Sequence, residues 1–178
     1  MKPVFLALLF LWCTTLSACA SYKVFPPEAL DGIEANFDFA RWREMPDQAK
    51  TTKVQLGGRI VQSEVRGDTV VIVVDQLPIV DHPAYGPRDN GKLNGEFVVT
   101  YQGKIEAVFL QSGNRVMVVG TTRPSTMVSA DGLPRSFPTV VAQCLHFWNT
   151  EGREIADFPD YDGGYVSLAQ QTVCTKHQ

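Results

Sequence analysis

Two apolar segments joined by a tight turn constrain the fold of this chain more than any other feature. Residues 53–65 read KVQLGGRIVQSEV, residues 69–79 read TVVIVVDQLPI, and RGD stands between them. Both segments are rich in β-branched residues, which favour strands. We interpret RGD as a turn and not as an adhesion motif, because glycine and aspartate have turn chemistry. The pattern predicts a β-hairpin.

Three more strand-like segments follow the hairpin: EFVVTYQG from residue 96, RVMVVGTTRPSTM from residue 115 and PTVVAQCLHFWNT from residue 138. Five strands with no long helix among them predict a mainly β fold. We expect a small antiparallel barrel of five to seven strands, OB-like, with a β-sandwich or an open meander as the alternatives. The paired Gly57 and Gly58 predict a bulge or a tight bend in the first strand.

The run TVVIVV at 69–74 makes a prediction about the two faces of its strand. Successive side chains of a strand point to opposite faces, so one alternating set must face the interior. We predict that Val70, Ile72 and Val74 form that interior set.

A short N-terminal helix is predicted by NFDFARWREMP at residues 36–46. Asn36 is suited to cap it, and Pro46 ends it. Phe39, Trp42 and Met45 recur every three residues. We expect this aromatic face to cover one side or end of the β structure.

The start of the chain predicts export. A short positive region, Met1-Lys2-Pro3, precedes the nine apolar residues VFLALLFLW, a run too short to span a bilayer. LSAC at 16–19 then resembles the bacterial lipobox, which implies a diacylglycerol thioether on Cys19 and cleavage before it. The alternative is a plain signal peptide cut near Ala20, with Cys19 incidental.

Lipid attachment also predicts a location. Two or three acyl chains on one residue hold a protein on a membrane without a helix. No aspartate follows Cys19, because Ala20 and Ser21 come next. This favours the outer membrane, with the protein facing the periplasm. We therefore predict a signal peptide at 1–18, a lipidated tether at 19–35 and a single β-barrel domain at 36–178.

The net charge and the number of cysteines further limit the kinds of protein that this chain can be. The net charge of −3 becomes −4 once residues 1–18 and their Lys2 are removed, so nothing favours nucleic-acid binding. Cys13 leaves with the signal peptide. Cys144 and Cys174 remain in an oxidising compartment, where we predict a disulfide between them. Two separate buried thiols are the alternative.

Catalytic and metal-binding patterns are weak. The chain has three histidines, His82, His146 and His177, and no G-x-S-x-G turn. His146 is interpreted as a hydrogen-bonded structural residue. Asp75, Asp81, His82 and Asp89 lack the spacing of a metal site, so we read them as part of a solvated, turn-rich region. We predict no enzyme activity, no cofactor and no metal.

A family resemblance accompanies these motifs. VQLGGRIV with its return strand, NGEFVV, GNRVMVVGTT and PTVVAQCLHFW resemble, in order and spacing, the Slp family of Gram-negative outer-membrane lipoproteins. The resemblance covers roughly residues 50–150 and the lipobox. Leu56 stands where the family often has tryptophan, and Glu96 stands in its G-R-F element. The resemblance implies an envelope lipoprotein linked to starvation or stress, and it supplies no catalytic residues.

Three functional readings follow. The first is a non-catalytic envelope module that binds or supports other envelope components. The second is a carbohydrate or peptidoglycan binder, by analogy with OB-like folds, with Tyr85, Tyr101, Tyr161 and Tyr165 as candidate exposed aromatics. The third is an envelope hydrolase, which requires a pocket with a base beside a nucleophile. The expected partners are the membrane, through lipid, and an unidentified envelope protein or glycan.

Overall fold

The computed structural model of the chain describes residues 24–80, 85–89, 91–92, 94–130, 132–151 and 168–175. Two short helices come first, α1 (Pro27–Leu30) and α2 (Phe39–Glu44), and a 3-10 turn spans Ala107–Leu110. The strands are β1 (Lys53–Arg66), β2 (Thr69–Leu77), β3 (Ile79–Val80), β4 (Gly86–Pro87), β5 (Glu96–Gln102), β6 (Arg115–Ala130), β7 (Leu133–Trp148) and β8 (Gln170–Cys174).

Five of the strands form a ring. β1 pairs with β2, β2 with β5, β5 with β7, β7 with β6, and β6 with β1. The predicted mainly β fold is therefore confirmed. The ring departs from the predicted antiparallel arrangement at one junction, because β5 and β7 pair in parallel over Val98–Thr100 and Thr139–Val141. The RGD turn joins β1 to β2, as predicted.

The strand β7 has partners on both edges. One edge pairs with β6 along most of its length, and the other pairs first with β5 and then with β8. β8 extends the sheet to six strands and lies beyond the five strand-like segments identified in the sequence. β3 and β4 form a separate two-stranded sheet, so the predicted long loop contains a strand.

The core lies inside the ring. Val70, Ile72 and Val74 belong to it, which confirms the predicted interior set. The opposite face of β2 and β5, with Val71, Val73 and Val98, is also buried. Its cover is the far part of the β6–β7 hairpin, through Val128, Ala130 and Phe137.

Of the two features predicted for the paired glycines of β1, a bulge or a tight bend, the bulge does not occur at Gly57 and Gly58. Pairing with β2 continues through Gly57 and Gly58, and the register shifts between Ile60 and Gln62 instead. A Cβ atom at residue 58 would overlap Val74 Cγ1 and the backbone oxygen of Asp75. Glycine is therefore needed here for the close approach of β2.

The N-terminal part contains two short helices where one was predicted. Pro27 at the first turn starts α1, because proline fixes a helical φ there. Asp38, and not Asn36, caps α2 by accepting a hydrogen bond from the Arg41 backbone N–H at 3.0 Å. Trp42 is buried in the main core, and Phe39 lies edge-on to Phe97 with ring centroids 5.8 Å apart. The aromatic face of α2 thus packs on the ring, as expected.

The described part of the predicted tether is packed on the domain and does not extend away from it. Phe25 and Ala29 are buried against Met117, Val119 and neighbouring residues. Burial of these apolar side chains holds the described part of the segment in place.

Candidate functional site

An open cleft of about 580 Å³ lies where α2, β1, β2, β5 and β7 meet. Its volume is in the range of about 300–1,000 Å³ that is typical of small-molecule sites. We call it the arginine cleft, after the three arginines on its walls. The residues that carry its chemistry are Arg43, Arg59, Asp75, Glu96, Arg135 and Phe137.

A row of charges crosses three strands in this cleft. Arg59 on β1 is directly opposite Asp75 on β2, and Asp75 is directly opposite Glu96 on β5. Like charges on facing strands repel each other, so each carboxylate needs a cation. Arg59 Nη2 lies 3.0 Å from Asp75 Oδ2, and Arg135 Nη2 lies 3.1 Å from Glu96 Oε2. Arg59 also pairs with Asp89 at 3.6 Å.

The third arginine is held differently. Arg43 on α2 donates from Nη1 to the backbone oxygen of Asn94, with a distance of 2.7 Å. Its side chain lies directly over Gly95, where a Cβ atom would overlap Arg43 Nη1 and Cδ. Gly95 also has φ +103°, a conformation that L side chains rarely adopt. Glycine at this position therefore admits the guanidinium of Arg43 to the cleft.

Apolar groups form part of the same wall. The Arg135 guanidinium lies over the Phe137 ring, 5.0 Å from its centroid, which is a cation–π contact. Val61, another lining residue, has an exposed fraction of 38%. The cleft therefore combines oriented guanidinium groups with accessible apolar surface.

A second region lies farther along β7, and we call it the aromatic cluster: Phe25, His146 and Trp148, with the apolar residues packed around them. The His146 ring lies edge-on to Trp148, with centroids 4.2 Å apart, and edge-on to Phe25 at 6.3 Å. Its nitrogens contact Thr172 Oγ1 at 2.6 Å and Gln170 Oε1 at 3.1 Å. Burial lowers the pKa of His146 to about 4, against the opposing effect of the Gln170 hydrogen bond. His146 is thus neutral at pH 7.

A disulfide joins β7 to β8 beside this cluster. Cys144 and Cys174 are directly opposite each other on the two strands, with α-carbons 4.1 Å apart, and their sulfur atoms are bonded. The predicted pair is thus joined in the structure, and β8 is the strand that brings Cys174 into place.

Comparison with family models gives one finding for this chain. The model described as the outer membrane lipoprotein Slp family matches residues 16–172, which is most of the sequence. The chain belongs to the Slp family. Neither the curated proteins nor the solved structures give a significant match.

Several residues weighed above as site candidates in this Slp family protein lie outside the described residues, namely Cys19, Asp81, His82, Tyr161, Tyr165 and His177. Lipid attachment at Cys19 stays a prediction. Asp75 and Asp89 do come together, on either side of Arg59. The described residues contain no group of three or more His, Cys, Asp or Glu side chains placed to hold a metal. In the same part of the chain, neither helix has the length and apolar character of a bilayer crossing.

The arginine cleft was missed by sequence reasoning. Its arginines come from α2, β1 and β7, and the local motifs around them do not indicate a binding role. The only local signal is Gly95 in the predicted loop, and many loop glycines serve turns alone. The site exists because the ring of strands brings distant segments together.

Proposed function

We propose that this Slp family protein is anchored to the outer membrane by lipid on Cys19, faces the periplasm, and acts as a non-catalytic, stress-linked envelope module. In this role it binds or supports other envelope components. The observation that carries the proposal is the family match, which begins at residue 16 and therefore includes the LSAC stretch.

The packing of the N-terminal segment supports the anchoring part of the proposal. The described domain begins at Val24, five positions after Cys19, and Phe25 is already buried. A lipid on Cys19 would therefore hold the folded domain close to the membrane surface.

The surroundings of His146 support a non-catalytic role. A hydroxyl–histidine pair is present, since Thr172 Oγ1 lies 2.6 Å from His146 Nδ1. However, the imidazole is only 3% exposed and stands between two aromatic rings. It does not line the arginine cleft. A pKa of about 4 also makes it a weak base at neutral pH.

The carbohydrate-binding alternative receives no support from the described surface. OB-like folds bind oligosaccharides on the face of their second and third strands. The corresponding strands of this ring are β2 and β5, and the β6–β7 hairpin covers their outer face. Tyr101 is buried in the core. The hydroxyl of the half-buried Tyr85 accepts a hydrogen bond from Gln55 Nε2 at 2.5 Å.

The anchor is tested by Cys19→Ser in cells labelled with palmitate. We expect the label to be lost, and the protein to leave the outer-membrane fraction or to remain as uncut precursor in the inner membrane. Cys13→Ser is the matched control, because it removes a nearby thiol that does not stand at the lipobox. The anchor is disproved if Cys19→Ser protein keeps both its label and its outer-membrane position.

A further inference from the structure

We infer that the arginine cleft binds a small ligand that presents a single carboxylate beside an apolar group. The inference rests on the binding role proposed above and names the ligand class for that role. It is drawn from the missing carboxylate partner of Arg43, the orientation of its guanidinium group and the exposed apolar surface of Val61 in the cleft.

The three arginines and the three carboxylates around the cleft balance in number, but their pairing leaves Arg43 without a carboxylate among the described residues. Arg59 is paired with Asp75 and Asp89, and Arg135 is paired with Glu96. Arg43 donates to the neutral backbone oxygen of Asn94, and it has no carboxylate partner among the residues that the structure describes. A ligand with one carboxylate would give Arg43 the anionic partner that it lacks.

The arrangement favours a single negative charge over two. Asp75 and Glu96 line the same cleft and face each other across β2 and β5. Their carboxylates repel any anion that enters, and the repulsion grows with the charge of the anion. A carboxylate also matches the planar fork of a guanidinium, which donates two parallel hydrogen bonds to it.

The guanidinium of Arg43 is preorganised for such a ligand. Gly95 leaves space for its side chain, and the backbone oxygen of Asn94 accepts a hydrogen bond from its Nη1. A guanidinium that is already oriented loses less entropy on binding. Val61 supplies exposed apolar surface in the same cleft, and an alkyl or aryl group that packs against it is removed from water.

The test uses the full lipidated protein in lipid nanodiscs, with empty nanodiscs as the blank. Hexanoate, hexanol, hexyl phosphate and acetate are titrated while the NMR signals of arginine and valine side chains are recorded. We expect saturable shifts with hexanoate, weaker binding of acetate and of hexyl phosphate, and no saturable shifts with hexanol.

Matched variants assign the binding to the cleft. Arg43→Gln should weaken hexanoate binding about tenfold, because a charge-assisted hydrogen bond is lost. Arg43→Lys keeps the positive charge but lacks the planar fork of the guanidinium. Its affinity for hexanoate should lie between that of Arg43→Gln and that of the unchanged protein. Arg66→Gln is the control, since Arg66 pairs with Glu64 outside the cleft, and it should leave binding within about twofold. A thermal melt of each variant checks that it is folded.

Four outcomes overturn the inference. The first is the absence of saturable hexanoate binding by the unchanged protein, and the second is binding that survives Arg43→Gln within about twofold. The third is hexanol binding as tight as that of hexanoate, and the fourth is binding of hexyl phosphate that is tighter than that of hexanoate. Palmitate labelling reports on the proposed anchor separately, so a labelled protein that does not bind hexanoate disproves the ligand alone.

Discussion

The arginine cleft and the aromatic cluster both include residues of β7, but the polar side chains of the two regions differ in solvent exposure and in charge. In the cleft, the side chains of Arg135 and Arg59 are paired with carboxylates and stay partly in water, with exposed fractions of 49% and 30%. In the cluster, His146 is almost fully buried and neutral. The difference indicates that the cleft is suited to recognition, whereas the cluster contributes mainly to stability.

The largest expected effect is in the aromatic cluster. Trp148→Ala should lower the free energy of unfolding by about 3–5 kcal/mol, because Trp148 is 1% exposed and its removal leaves a large cavity. Urea unfolding measures the loss. Leu133→Ala is the control, since Leu133 is 65% exposed and its loss should stay within about 0.5 kcal/mol. A loss below 1 kcal/mol for Trp148→Ala would refute the assignment of stability to the cluster.

The disulfide beside the cluster should have the next largest effect. Changing both Cys144 and Cys174 to alanine removes a bond that closes a loop of 30 residues. The loss of this constraint on the unfolded chain should cost about 3–4 kcal/mol. Unfolding is measured for the oxidised protein, the reduced protein and the double variant. The oxidised protein should be the most stable, and the other two should be less stable by similar amounts. Equal stability of all three would show that β8 is held without the bond.

Acid should weaken the cluster through His146. The folded-state pKa of about 4 is below the ordinary value of 6.5, so the unfolded chain binds the proton first. Stability from this group is therefore complete above pH 6.5 and is lost as pH falls towards 4, by about 3 kcal/mol in total. Urea unfolding at a series of pH values measures the slope. His146→Gln should flatten it between pH 6.5 and 4, and an unchanged slope would assign the effect to other groups.

The smallest effect is expected in the cleft. Arg135→Gln breaks an ion pair with Glu96 that is largely in contact with water. Such pairs contribute about 0–1 kcal/mol, so the variant should unfold almost as the unchanged protein does. A loss above 2 kcal/mol would remove the contrast between the two regions.

The interior face of β2 and the structural role of His146 were easier to predict from the sequence than the cleft was. The alternation of Val70, Ile72 and Val74 identified the interior face, because it depends only on local strand geometry. The RGD turn likewise placed the first hairpin. His146 was interpreted as structural from its apolar neighbours, and its buried position agrees with that interpretation.

The remaining features depend on contacts between distant segments. QQTVC in β8 has no apolar alternation, and its strand structure comes from pairing with β7 and from the disulfide. The parallel junction of β5 and β7 depends on how the ring closes, which no local pattern encodes. Arg43 enters the cleft because Gly95, on another segment, leaves space for it.

The burial of Phe25, close in sequence to Cys19, limits how far a lipid-anchored domain can move away from the membrane. With lipid on Cys19, as proposed, the five positions to Val24 span at most about 18 Å when fully extended. The domain would then sample a thin layer next to the bilayer and not the full depth of the periplasm. Its collision partners would be molecules that are themselves confined to that layer, or that diffuse through it, and their effective concentration near the cleft would be set by the membrane area.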